Sequence, residues 1–128
     1  MIERPELTGS PQAQGPYSPV VRAGDLLFVS GQGPIDPETN KFVLGSIQQQ
    51  ARLTIENIRA ILVGCGSSLA NVVKCSVFLS DAGDFAAMNE VYAEFFAGAK
   101  PARTTVAVAL VEPGMKIEID CVAWSPKS

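Results

Sequence analysis

Two helix-like stretches alternate with short strand-like runs, and that interleaving limits the possible folds more than any other feature of the chain. Ser46 to Val63 is the clearer helix. Ile47, Ala51, Ile55, Ile58 and Leu62 recur at spacings of three and four, the repeat of one helical face. Gln48, Gln49, Arg52, Glu56 and Arg59 take the polar positions. Ser46-x-x-Gln49 has the form of a capping box, and Gly64 is expected to end the helix. Asp84 can cap a second helix, with Phe85, Met88, Val91, Tyr92 and Phe95 as its apolar residues and an end near Gly98.

Around these helices, strands are expected at Tyr17–Arg22, Leu26–Ser30, Val72–Leu79, Thr104–Leu110 and Lys116–Trp124, with a further short edge strand at Lys41–Leu44. Val73, Cys75, Val77 and Leu79 would share one strand face. Residues 1–16, rich in Pro, Gly and Gln, read as an irregular arm. The order is β-β-(β)-α-β-α-β-β. It predicts an α+β fold, one sheet with two helices on one face. With 128 residues and no linker or repeat, residues 1–128 read as one domain. The second sheet face then has no cover from this chain. At 47% hydrophobic and 18% charged, the composition is apolar for a small monomer, and a subunit interface is where the excess would go.

Charge and residue types exclude several chemistries. The net charge is −3 and no basic run occurs, so phosphate neutralisation on a nucleic acid finds no support. Histidine is absent, which removes Ser-His-Asp and Cys-His catalysis and His-ligated metals. Acid–base work must fall to Asp, Glu, Lys, Tyr, Cys or water. Cys65, Cys75 and Cys121 have no metal-binding spacing and read as structural thiols. No apolar run reaches the ~20 residues of a membrane span. The N-terminus lacks the basic and apolar regions of a signal peptide, so a cytoplasmic location is expected.

Three places offer chemistry. In Pro101-Ala102-Arg103-Thr104-Thr105-Val106, Arg103, Thr105, Ala107 and Ala109 share a face of small residues, with Arg103 at its start. A guanidinium beside such a hollow can grip a carboxylate with two parallel hydrogen bonds; a surface arginine on an edge strand is the other reading. Lys116, Glu118 and Asp120 share one face of the last strand, either as a solvated charged face or with Glu118 as a base for water. Gly31-Gln32-Gly33 lacks the helix and third glycine of a phosphate loop. It fits a strand end where a ligand or neighbour comes close. Tyr17, Ser30 and Asn89 are polar groups at element edges. If the last two strands pair around Pro113, Glu118 sits five or six residues along the ladder from Arg103, too far for one small ligand. A site with both would then draw on two subunits or on another register.

Read jointly, several segments resemble the RidA (YjgF/YER057c/UK114) family of reactive intermediate deaminases. They are Gly15-Pro16-Tyr17-Ser18-Pro19, Val29-Ser30-Gly31-Gln32, Gln50-Ala51-Arg52-Leu53-Thr54-Ile55-Glu56-Asn57-Ile58, Met88-Asn89-Glu90-Val91-Tyr92, Pro101-Ala102-Arg103-Thr104-Thr105-Val106 and Ile117-Glu118-Ile119-Asp120. The resemblance implies a chorismate-mutase-like fold assembled as a homotrimer, with a ligand cleft at each subunit interface. It implies hydrolysis of 2-imino acids and their enamine tautomers (2-aminoacrylate, 2-iminopropanoate, 2-iminobutanoate) to 2-oxo acids and ammonia, with no cofactor or metal. Arg103 falls on the family's carboxylate-binding arginine and Glu118 on the glutamate associated with the catalytic water. Tyr17, Ser30, Gly31 and Asn89 fall on cleft-lining positions. Many bacterial members have cysteine where this chain has Thr105. Threonine preserves a backbone role at that position but not a thiol role. The competing functions are a non-catalytic binding module for a small carboxylate, an RNA-acting translation inhibitor and a holdase-type chaperone.

Overall fold

In the computed structural model, which describes residues 1–127, the two expected helices form because their apolar spacing gives each one face to bury. Helix α1 (Ile47–Gly64) starts at Ser46, whose hydroxyl accepts from the Gln49 backbone while the Gln49 side chain accepts from the Ser46 backbone. Its end lies later than expected. Gly66, at φ +80°, takes the left-handed conformation, and the Gly66 and Ser67 amides donate back to the carbonyls of Val63 and Leu62. Gly64 itself is still helical. Helix α2 spans Phe85–Phe96. Asp84 makes no capping hydrogen bond; Asp81 instead accepts from the Gly83 backbone at the start of a 3-10 turn that leads into α2.

Among the described residues, eight strands accompany them: β1 (Ile2–Glu3), β2 (Val20–Ala23), β3 (Leu26–Gln32), β4 (Ile35–Asp36), β5 (Lys41–Phe42), β6 (Val72–Leu79), β7 (Ala102–Ala107) and β8 (Ile117–Trp124). Six form one sheet in the order β1-β2-β3-β8-β6-β7, and β4 and β5 make a separate ribbon. The arm is therefore not wholly irregular. Its first residues pair with β2, and the Glu3 carboxylate binds the Lys127 ammonium and lies 3.9 Å from Arg22.

The pairing of β7 departs from the hairpin considered above. β7 runs parallel to β6 and is the sheet edge, while β8 lies on the other side of β6, antiparallel to it. The β6–α2–β7 connection is a crossover, which a parallel pair requires. β6 also departs in detail. A register shift between Val72 and Lys74 turns Val72 into the core and leaves Val73 exposed.

The core lies between the helices and one sheet face. Ile117, Ile119, Cys121 and Ala123 of β8 alternate inward and meet Ile55, Ile58, Ile61 and Leu62 of α1 and Met88 and Phe96 of α2. The residues between them point the other way. On that open face, Leu26, Phe28, Val106 and Trp124 are exposed apolar side chains.

Candidate active site

Buried amides brace the region around Glu118. Gln50, Thr54 and Asn57 are polar residues on the inner face of α1, all essentially buried. Asn57 donates to the carbonyls of Gly33 (3.1 Å) and Ile35 (2.7 Å). Gln50 donates to the carbonyls of Gly45 and Gly114 and accepts from the Lys116 amide (2.7 Å). The two loops so held, after β3 and before β8, line a cleft of about 290 Å³ with Tyr17, Phe42, Met115 and Glu118. Gln50 and Asn57, two amides seven residues apart within an apolar face, are the sequence signal for this bracing; the Thr54 hydroxyl between them is buried without a partner among the described residues.

Glu118 sits on the open side of β8, opposite Phe78. Burial pushes its carboxyl above the usual carboxylate range, and the Asp120 charge two residues on adds to the shift. Gly31 is where this side chain fits. A Cβ at Gly31 would stand 2.5 Å from the Glu118 carboxylate, and one at Gly33 would meet Met115. The close neighbours anticipated at these glycines are thus side chains of the same subunit. Ser30 donates to the Ser18 carbonyl at 2.6 Å, which ties the Gly15–Pro19 segment to β3. That tie holds Tyr17 over the cleft, where its hydroxyl accepts from the Gln14 amide.

Arg103 belongs to a different neighbourhood. Its Cα is registered with that of Cys75, whose thiol side is fully buried, so Arg103 points to the helix side of the edge strand. There its guanidinium carbon lies 4.7 Å from the Tyr92 ring centre and 5.6 Å from that of Phe85, both on α2. Among the described residues it makes no hydrogen bond or ion pair. Thr105, two residues on, faces the same way, with its hydroxyl buried and unpartnered. Asn89 lies one helical turn from both Phe85 and Tyr92, on the same face of α2.

The sequence-derived site residues therefore form two groups. Tyr17, Gly31 and Glu118 line the cleft, and Ser30 stands behind it on the Ser18 carbonyl; Arg103 and Thr105 lie on β7, with Asn89 on the α2 face that carries Phe85 and Tyr92. Within one chain the groups do not meet. Arg103 is two strands and three residues from Glu118, about 14 Å across the sheet, and faces the opposite side. The aromatic pair beside Arg103 was read from sequence only as part of an apolar helix face. Among the described residues, no cluster of metal-ligating side chains occurs and no helix is long and apolar enough to cross a membrane.

This arrangement has relatives. The protein-family model described as Endoribonuclease L-PSP matches residues 7–125. The chain belongs to this family, that of the Rid proteins. A RutC family protein of Pyrococcus horikoshii is 49% identical over 90% of this chain and 91% of its own. Reactive Intermediate Deaminase A of the Arabidopsis thaliana chloroplast is 41% identical over 89% of this chain and 61% of its own. Among solved structures, Escherichia coli TdcF with bound serine superposes with a TM-score of 0.84 at 38% identity, covering 94% of this chain and 98% of that one. The Rid fold is thus shared along almost the whole length. It accounts for the two helices on one face of a mainly antiparallel sheet.

Proposed function

We propose that this Rid protein is a hydrolytic deaminase of reactive 2-imino acids and their enamine tautomers, such as 2-aminoacrylate, 2-iminopropanoate and 2-iminobutanoate. The observation that carries the reading is the presence of two complementary groups on opposite faces of the sheet. An arginine that has no anionic partner among the described residues stands at one sheet edge, and a carboxyl of raised pKa stands in a cleft on the opposite face. Assembly as a homotrimer would bring the Arg103 edge of one subunit to the Glu118 cleft of the next, and the open apolar sheet face offers the surface to bury. The relative named a reactive intermediate deaminase supports the reaction class. TdcF with bound serine supports a ligand of one carboxylate and one α-nitrogen.

The chemistry follows from these groups. Arg103 grips the substrate carboxylate through two N–H donors. C2 of the iminium is already electrophilic, so water needs positioning more than strong activation. Glu118 orients the water and accepts its proton as the C2–O bond forms, giving the carbinolamine. The same carboxyl, or water, returns a proton to nitrogen; the carbinolamine hydroxyl then gives its proton to Glu118 or water as the C–N bond breaks, so that C=O forms and ammonia and the 2-oxo acid leave. A base whose pKa lies nearer neutrality serves both transfers better than an ordinary carboxylate. Tyr17, Ser30, Gly31, Thr105 and Asn89 complete the substrate-binding walls. No step calls for a cofactor or metal.

The test is an imine-trapping assay. An amino-acid oxidase generates the 2-imino acid and semicarbazide captures it. Wild-type protein is expected to reduce the trapped product, and Arg103→Ala is expected to leave it unchanged. Equal trapping with and without wild-type protein would reject the deaminase. The description of the family model raises an RNA-acting role; RNA cleavage that falls with salt and is lost on a single substitution in this chain would replace the present reading.

A further inference from the structure

Arg103 is the one proposed substrate-binding group with a cradle of its own. Its guanidinium lies 4.7 Å from the centre of Tyr92 and 5.6 Å from that of Phe85. An arginine on an edge strand normally trades its orientation freely with solvent, because long charged side chains lose rotamer entropy when held. Here two aromatic rings, seven residues apart on α2, flank it from the helix side. Ring faces attract the cation without accepting its N–H donors as a carboxylate would, so the donors stay available. A neighbouring carboxylate would have fixed the arginine too, but at the cost of occupying the fork and repelling an anionic ligand.

The two rings differ in what else they do. Tyr92 is buried, packs on Phe96 at 4.5 Å between ring centres, and has its hydroxyl beside the Cys75 thiol. Phe85 is 44% exposed at the start of α2. Leaving a phenylalanine so exposed is hard to explain by packing within the subunit alone.

Resting on the deaminase reading above, we propose that Phe85 and Tyr92 are positioning residues. They hold the Arg103 guanidinium preoriented for a ligand carboxylate while leaving its donors free. The preference follows for small anionic acids whose carboxylate needs both donors at once, and affinity should depend on the aromatic character at these two positions rather than on their volume.

Phe85→Leu keeps apolar bulk and removes the ring face at a partly exposed site where folding is not at stake. Its binding of 2-oxobutanoate, followed by calorimetry on the intact assembly, is expected to weaken about three- to tenfold, the range of a cation–π contact. KM for the imino acid should rise by a similar factor while kcat stays within about twofold, since the chemistry at Glu118 is untouched. Phe85→Tyr and Tyr92→Phe, which keep both rings, should bind as wild type. In the nuclear magnetic resonance spectrum, the Arg103 Nε–H signal should lose its ring-current shift in Phe85→Leu. If Phe85→Leu binds as tightly as wild type while Arg103→Ala does not bind, the aromatic cradle is wrong and the deaminase reading stands. If Arg103→Ala also binds as wild type, both fall. An Arg103 Nε–H signal unmoved by Phe85→Leu would equally overturn the cradle.

Discussion

The two faces of the sheet divide the work of this protein. Toward the helices, Ile117, Ile119 and Ala123 of β8 are fully buried in an apolar core, and the polar groups on that side include Arg22, the Gln50, Thr54 and Asn57 side chains of α1, and Arg103 and Thr105 at the β7 edge. Toward the open side, Glu118 and Asp120 stand among exposed Phe28, Val106 and Trp124. The first face folds the subunit and carries Arg103 only at its β7 edge. The second holds a carboxyl of raised pKa beside apolar surface that a lone subunit leaves in water. A β-strand alternates, so a single strand can serve both demands residue by residue.

The contrast is broken first by exchanging the faces' sensitivity to truncation. Ile58→Ala, inside the covered face, should destabilise the fold by about 3 kcal/mol in denaturant titration. Phe28→Ser and Val106→Ser on the open face should leave subunit folding nearly unchanged and, if the proposed trimer forms, shift it toward smaller species in sedimentation. Equal losses of folding stability on both faces would remove the distinction.

Next in size is the arginine. If Arg103 grips the ligand as proposed, Arg103→Ala removes two charge-assisted hydrogen bonds and should lower kcat/KM on the order of a hundredfold or more. Arg103→Lys should recover only part, because a point charge does not replace the fork. Full rate and affinity in the lysine variant, measured by steady-state kinetics, would show that the bidentate grip is wrong.

A smaller effect is expected at Gly31. Gly31→Ala puts a Cβ against the Glu118 carboxylate and displaces it, so kcat should fall about tenfold with the melting temperature nearly unchanged. A kcat equal to wild type would mean that the position of Glu118 is immaterial.

The smallest effects are those of pH. Glu118 has a raised pKa in the folded state, so the folded protein binds its proton more tightly than the unfolded chain does. Its contribution to stability is full below the unfolded carboxyl value of 4.5 and is lost as pH rises through the higher folded value. Glu118→Gln should flatten that fall in urea titrations across the same window. As a base, Glu118 acts deprotonated, so the acid limb of the rate profile should lie above the ordinary carboxylate range. Asp120→Asn should move that limb to lower pH by removing the repulsion. A limb that stays in place would sink the electrostatic part of the argument.

How far these faces could be read from sequence depended on how local the cause was. The α1 repeat and its capping box are properties of adjacent residues, and both appear in the structure. The alternation that put Arg103 and Thr105 on one face of β7 is equally local, and the register with Cys75 and Val77 agrees with it. Strand partners are not local. Proximity in sequence favoured pairing Thr104–Leu110 with Lys116–Trp124, yet both strands flank β6, because the α2 crossover delivers β7 parallel to it. The bulge that exposes Val73 and the two-residue β1 leave too short a trace for any periodicity to register. The cradle of Arg103 was hidden for another reason. Phe85 and Tyr92 satisfy the apolar pattern of α2, and only the packing of α2 against the β7 edge gives them a second use.

The most direct measurement of the central claim is subunit complementation. Arg103→Ala and Glu118→Ala assemblies, each expected to be inactive alone, are dissociated, mixed in equal amounts and reassociated, with the mixed species confirmed by native mass spectrometry. If each site takes Arg103 from one subunit and Glu118 from its neighbour, about one quarter of the sites regain both residues and deaminase activity returns in proportion. If mixed assemblies form and stay inactive, the two residues do not act together across the interface, and the division of the site between opposite sheet faces is not the basis of its function.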